Sequence, residues 1–383
     1  MIYLDSAATT KPCPEAVDAV AKTLTEEWGN PSSAHRTGLD AKRRLDSARS
    51  AILSSLGVRR DGELIFTSSG TEANDLAILG VCRSKSRRGR MIVAEGEHAS
   101  VWASAKQAEA EGFELVTIPT RGGTLDMDAL SDALTPDTIL VSVMLVNSET
   151  GALYDVAEAF RRVRAAVPSA ICHCDAVQGY MKVPFTAKSL GADLITVSGH
   201  KIHAPKGAGA LYVSERVLRL RAISPVIFGG GQESGLRSGT VNVPAILGFA
   251  AAVERAAKTS AADAEHMRTL RGRTIEKLAA QDIGIRPNLP ASSAPHILSL
   301  TMPNIKSETM LNFLSARDIC VSSGSACSTH SRNLSRALLA FGLTEREADT
   351  TIRVSLCRDT TEDEIDEFVI AVTEGVRTLA RMR

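Results

Sequence analysis

An α/β architecture is the fold class this sequence predicts, with a large domain on a mostly parallel, seven-stranded sheet joined to a smaller α+β domain. Three observations lead there. From about residue 64 to 213, short runs of β-branched and apolar residues alternate with longer segments of helical period, the pattern of a parallel sheet covered by helices. A glycine-rich stretch, Gly229-Gly230-Gly231, and a helical run over 245–257 then mark a change of organisation. Beyond it the order is helix, extended segments at 297–301 and 319–322, and two more helices. With 383 residues, two or three domains of ~150 residues fit the chain. The expected division gives 15–250 to the large domain, and 1–14 with 251–383 to the smaller one.

The candidate strands of the large domain are 64–67, 91–94, 114–118, 139–145, 170–174, 193–197 and 209–213. Segments 100–111 and 156–167 repeat their apolar residues at helical spacing and read as crossover helices. No internal repeat or low-complexity tract interrupts the pattern. In such open sheets, ligands sit outside the carboxyl ends of the strands, and the polar residues of interest cluster there.

Composition narrows the function. Hydrophobic residues make up 44% and charged residues 23%, as in an ordinary globular protein. Lys and Arg total 44, as do Asp and Glu, so no global field favours nucleic acid or membrane as a main partner. The basic run 83–88 reads as a solvated loop between helix and strand. The start, Met1-Ile2-Tyr3-Leu4-Asp5, lacks a basic, apolar leader, and no window of ~18 apolar residues offers a membrane span; a cytoplasmic protein is expected. Seven cysteines without CxxC spacing read as reduced thiols.

Four segments carry candidate chemistry. Strand 64–67 runs into Ser68-Ser69-Gly70-Thr71-Glu72 and then a helical pattern, so backbone N–H groups and the Thr71 hydroxyl would converge on an anion such as phosphate; plain N-capping fits the same residues. No GKS/T follows, which argues against a nucleotide P-loop. Asp175 ends a buried strand, where few neighbours could hold its charge; the protonated ring nitrogen of a cofactor would. Cys172 and Cys174 fall on one face of that strand and His173 on the other, a poor metal set, and the thiols read as small hydrophobes.

Strand 193–197 leads to Ser198-Gly199-His200-Lys201, which presents a lysine able to condense with a carbonyl if its pKa is depressed. His200 and His203 have no evident further ligands for a metal. The stretch 321–330 is small and polar and contains Cys327, either a nucleophile that must travel or an inconsequential loop thiol. Arg353 lies on a strand-like segment, 351–355, either as a fork for a substrate carboxylate or in a surface ion pair.

Taken in order, Tyr3-Leu4-Asp5-Ser6-Ala7-Ala8-Thr9-Thr10, Gly29-Asn30-Pro31-Ser32-Ser33, Thr71-Glu72, Glu97-His98, Val146-Asn147-Ser148-Glu149-Thr150-Gly151, Asp175-Ala176-Val177-Gln178, Ser198-Gly199-His200-Lys201, Arg237-Ser238-Gly239-Thr240 and Ser322-Ser323-Gly324-Ser325-Ala326-Cys327 resemble NifS/IscS-type cysteine desulfurases of the class V aminotransferase family, over nearly the whole chain. The resemblance implies a fold-type-I enzyme dependent on pyridoxal 5'-phosphate, normally a homodimer, with L-cysteine as substrate. Matching positions make Lys201 the lysine bonded to the cofactor, His98 its stacking partner and acid/base, and Asp175 the partner of its ring nitrogen.

By the same matching, Asn147 and Gln178 would contact the phenolic oxygen, and Gly70, Thr71, Ser198 and His200 the phosphate, with Thr240 reaching in from the partner subunit. Asn30 and Arg353 would grip the substrate carboxylate. Cys327, on a loop of the smaller domain, would receive the sulfur as a persulfide and pass it to an acceptor protein for iron–sulfur cluster assembly, tRNA thiolation or DNA phosphorothioation. The stretch from Cys327 to the next helix is shorter than in the housekeeping members, and Gln178-Gly179-Tyr180-Met181-Lys182 lacks the small residues usual after that glutamine. The alternatives are a selenocysteine lyase or another enzyme on the same cofactor, such as an aminotransferase, and, from a different class, a sulfur-carrier subunit without catalysis.

Overall fold

The computed structural model describes residues 1–59, 61–323 and 334–379; Cys327 lies outside the described residues. A short strand, β1 (Ile2–Tyr3), precedes the seven strands of the large sheet: β2 (Gly62–Thr67), β3 (Arg90–Ala94), β4 (Glu114–Ile118), β5 (Thr138–Ser142), β6 (Ile171–Asp175), β7 (Leu194–Ser198) and β8 (Gly209–Ser214). Their order across the sheet is β2-β8-β7-β6-β5-β3-β4. β8 is the antiparallel member, paired with β2 on one side and β7 on the other; the remaining pairings are parallel.

Both faces of this sheet are covered, which is why its strands read as continuous apolar runs. Alternate residues feed two cores: Leu64, Phe66, Ile92, Cys172, Cys174, Ile195 and Val197 enter one, and Ile65, Met91, Val93, Ile171, Leu194 and Leu211 the other. The period of two along each strand sorts them. Cys172 and Cys174 are fully buried, and burial pushes the Cys172 thiol up to about 12, so both sit in the core as small apolar groups.

The expected strand 139–145 ends at Ser142. The chain still runs beside β6, with Val143 N–H donating to His173 O and Leu145 N–H to Asp175 O, and it then turns to meet residues 152–154 in an isolated antiparallel bridge, Val146 with Leu153. The helical run expected over 245–257 is one continuous helix, Val243–Ala279. Its first turns bury Phe249 and Val253 in the large core, and its later turns bury Met267, Leu270 and Leu278 in a third core.

That third core lies under a four-stranded sheet of β9 (Arg286–Pro287), β10 (Ile297–Thr301), β12 (Ser322–Ser323) and β13 (Thr351–Ser355), in the order β12-β13-β10-β9. β11 (Ile319–Cys320) pairs instead with β1, carrying the start of the chain into this region. Among the described residues, three helices, not two, follow β12: Arg336–Phe341, Glu345–Asp349 and Glu362–Leu379. Among the described residues, no helix is long and apolar enough to cross a membrane.

Candidate active site

The polar residues converge where β2, β6 and β7 end. β2 finishes at Thr67, and Ser69 caps the helix Gly70–Arg83, its hydroxyl accepting from Glu72 N–H at 3.2 Å. Glu72 accepts from the backbone N–H of Ser68 at 2.9 Å and from Arg237 at 2.6 Å. Burial works against ionising Glu72, but these hydrogen bonds outweigh it and hold the carboxyl below its usual range. The capping chemistry visible in the sequence is therefore present, and it braces a helix start whose remaining N–H groups and positive dipole end suit an anion.

Gly70 is required there. A Cβ on it would lie 2.9 Å from Val177 Cγ2 and 3.5 Å from Ser198 Cβ, so any side chain would crowd the residues at the ends of β6 and β7. Ser198 Oγ is buried with no hydrogen-bond partner among the described residues, an unmet polar group that a phosphate oxygen would satisfy. Thr71 is exposed at the helix start. His200 hydrogen-bonds through Nδ1 to Thr9 Oγ1 at 3.2 Å; burial and the neighbouring Lys201 push its imidazole down to about 4.

Asp175 closes β6, buried, and Asn74 donates to its Oδ2 at 2.8 Å while Val177 N–H donates to its Oδ1 at 3.0 Å. A buried carboxylate fixed by two donors is matched to a protonated ring nitrogen. Beneath it runs a buried chain of partners: Ser142 Oγ donates to Glu97 at 3.2 Å and lies 2.9 Å from His173 Nδ1, and His173 Nε2 lies 3.1 Å from Thr196 Oγ1. Burial, with Asp175 adding repulsion, raises Glu97 well above the usual carboxylate range.

His98 caps the helix Ala99–Ala110, its Nδ1 accepting from Ser100 N–H at 3.2 Å. With Nδ1 occupied as an acceptor, the neutral ring carries its proton on Nε2. Burial lowers its pKa, while Asp175 pulls it up and Lys201 pushes it down; His98 is thus within electrostatic reach of both. Lys201 follows β7 in a turn of helix (Gly199–Lys201), and its Nζ donates to the carbonyls of Ala7 at 2.7 Å and Ala8 at 2.6 Å.

Two amides face the same region. Gln178 donates to Ala7 O at 2.8 Å. The Asn147 side chain donates to Gly96 O at 2.9 Å, and its Oδ1 accepts from Glu149 N–H, Thr150 N–H and the Thr150 hydroxyl. Much of the hydrogen-bonding capacity of Asn147 therefore shapes its own turn.

Arg353 on β13 is not in a surface ion pair. Its side chain is only 6% exposed, with Nη2 2.9 Å from Asp5 Oδ1 and Nη1 donating to Ser148 O at 2.8 Å. Among the described residues its buried Nε has no acceptor, a donor left over for a ligand. Asn30 is exposed and accepts from Ser32 N–H at 2.9 Å. Thr240 is also exposed, and among the described residues its side chain makes no hydrogen bond; neither residue is drawn into the site by this chain alone.

A cavity of about 40 Å³ opens on the flank of Lys201, between Lys182, His203 and Cys357; Asp175 and His98 lie outside its lining. His203 does have neighbours that sequence spacing hid: its ring, the Cys357 thiol and an Asp359 oxygen come within 4.8 Å of one another. Lys182 and Arg358 both act on His203 as cations and oppose a divalent ion there.

A mostly parallel sheet with a lysine and a carboxylate at adjacent strand ends, facing a helix start built for an anion, defines the class. The chain belongs to the class-V aminotransferase family, whose model matches residues 2–368. It is 38% identical over 381 residues to a cysteine desulfurase of Trichormus azollae, covering 99% of this chain and 94% of that protein. A NifS-like protein of known structure superposes with a TM-score of 0.90 at 34% identity, covering 97% of this chain and 98% of that one. A structure described as SspA in complex with cysteine matches with a TM-score of 0.80 at 29% identity, covering 94% of this chain and 100% of that one.

Proposed function

We propose that the protein is a cysteine desulfurase that holds pyridoxal 5'-phosphate and moves the sulfur of L-cysteine onto Cys327, leaving L-alanine. The observation that carries this is the meeting of Lys201 and Asp175 at the ends of neighbouring strands, both acting on His98. Gly70, Thr71, Ser198 and His200 would hold the phosphate, Asp175 the ring nitrogen, Asn147 and Gln178 the phenolic oxygen, and Lys201 the carbonyl carbon. When bound, pyridoxal phosphate withdraws electrons from the substrate's α-carbon.

The chain's own groups supply the rest. Asp175, fixed by Asn74 and the Val177 N–H, keeps a proton on the ring nitrogen. Lys201, steadied by the Ala7 and Ala8 carbonyls, removes the α-proton. His98, neutral at rest, would take up a proton released near the substrate thiol and return it. Arg353, through its unpaired Nε, orients the substrate carboxylate together with Asn30. The Cys327 thiolate attacks the substrate sulfur, so that an S–S bond forms as the C–S bond breaks, and the electron pair of that bond stays with the carbon that becomes alanine. The persulfide then goes to an acceptor protein; a homodimer, with Thr240 completing the partner's phosphate site, and the two-domain division at about residue 250 belong to the same reading.

Incubating the holoprotein with L-cysteine and a reductant should yield alanine and sulfide in equal amounts over many turnovers. Lys201→Ala should lose both the cofactor's visible absorbance and activity, whereas Cys327→Ser should keep the absorbance and lose sulfur release. Desulfuration at the original rate by Cys327→Ser would overturn the persulfide route, and comparison with selenocysteine as substrate separates a lyase.

A further inference from the structure

We propose that Glu149 is a positioning residue for the Cys327 segment, tying the end of that segment, through Ser335, to the turn that Arg353 holds. This rests on the desulfurase reading above, in which Cys327 must meet a substrate gripped by Arg353. The segment leaves the described structure after β12, where Ser322 pairs directly with Arg353. It returns at Leu334, and Ser335 caps the helix Arg336–Phe341.

The Ser335 hydroxyl does two things: it accepts from Leu338 N–H at 3.1 Å and donates to the Glu149 carboxyl. Capping alone needs only the first. Glu149 in turn sits in the rigid turn 146–151, where Asn147 Oδ1 takes three donors. The neighbouring Ser148 carbonyl accepts from Arg353. One closed path therefore runs from Arg353 through Ser148, Glu149 and Ser335 at one end of the segment, and back from Ser322 to Arg353 at the other. The returning helix also reaches the helix of His98, since the Arg336 guanidinium stacks on Trp102, whose backbone N–H donates to His98 O.

Hydrophobic burial alone does not explain a carboxyl at this point, because an apolar residue there would be cheaper to desolvate. Burial pushes Glu149 up to about 7, against the pull of Ser335 and of Arg353 on β13; Arg353 is itself paired with Asp5. The carboxylate form, a stronger acceptor for the Ser335 hydroxyl, thus predominates only above neutral pH.

The test compares holoenzyme forms of the wild type, Glu149→Ala and Glu149→Gln. In Glu149→Ala, kcat for alanine formation should fall about tenfold or more, while cofactor absorbance, the spectral change on adding cysteine and KM stay within about twofold. Glu149→Gln, which keeps an acceptor oxygen, should recover most of the rate. The ratio of wild-type to Glu149→Gln rates should rise with pH through a midpoint near 7 and level off about one unit higher. Wild-type rates in Glu149→Ala, or a ratio that ignores pH, would overturn the inference and leave the desulfurase reading intact. A wild-type holoenzyme that makes no alanine would remove that reading and this inference with it.

Discussion

Removing Glu233 should destabilise the protein by about 3 kcal/mol, although it lies outside the cofactor site. Its side chain is 3% exposed and receives three charge-assisted hydrogen bonds. Arg49 Nη1 and Nη2 approach its two oxygens at 2.8 Å each, and Phe66 N–H donates at 2.7 Å. In Glu233→Ala the Phe66 N–H is left buried without an acceptor, at a cost of ~1–3 kcal/mol. Arg49 loses its fork but is 23% exposed and can rehydrate in part. It also keeps its bond to Leu64 O and its place over the Phe66 ring, so its share is only ~1–2 kcal/mol rather than the full cost of a stranded buried charge.

Thermal unfolding of the cofactor-free protein reads the sum as a drop of roughly 6 °C, taking ~2 °C per kcal/mol for a chain of this size. Arg49→Ala and the double variant complete a cycle whose coupling should be about 2 kcal/mol. Effects that add within ~0.5 kcal/mol, or a loss below ~1 kcal/mol for Glu233→Ala, would refute the reasoning. The pair secures β2 beside the turn into Gly70, so Glu233→Ala should also weaken cofactor affinity.

Ser198→Ala should leave the melting temperature of the cofactor-free protein unchanged or slightly higher, because the buried Oγ has no partner to lose, while the Kd for pyridoxal phosphate rises about fivefold, the worth of one hydrogen bond of ~1 kcal/mol; equal Kd values would remove Ser198 from the phosphate site. Burial pushes His173 down to about 4, below its unfolded value of ~6.5. The unfolded chain then binds the extra proton, so the His173 contribution is complete above pH ~6.5 and is lost as pH falls toward 4. Melting temperature measured across that window should fall less steeply in His173→Asn, and an unchanged slope would refute the assignment.

The large sheet was legible because both its signals are local. An apolar run bounded by turn residues, with helical period between runs, requires no knowledge of distant partners, and all seven candidate strands are present within a few residues of their expected places. The misjudged boundaries are those that neighbours decide. Residues 143–146 are as apolar as a strand, but among the described residues they add to their bonds with β6 an isolated bridge, Val146 with Leu153, rather than a ladder. The helix starting at Val243 runs on to Ala279, since its charged, alanine-rich middle has high helix propensity but no apolar stripe as clear as that of its first turns.

The candidate site divides the same way. Gly70, Asp175, Ser198 and Lys201 could be placed at strand ends from sequence order alone, because each follows its strand directly. Asp5 and Arg353 are 348 residues apart, Glu149 and Ser335 are 186 apart, and Arg49 and Glu233 are 184 apart; no periodicity or turn signal connects them. The sequence by itself determined which residues are available at the ends of which strands, since that depends on neighbours along the chain. Only the tertiary structure decided which charges meet and which lose water, because strand order and the return of β1 and β13 to the same place bring those partners together, and burial then sets how strongly they act.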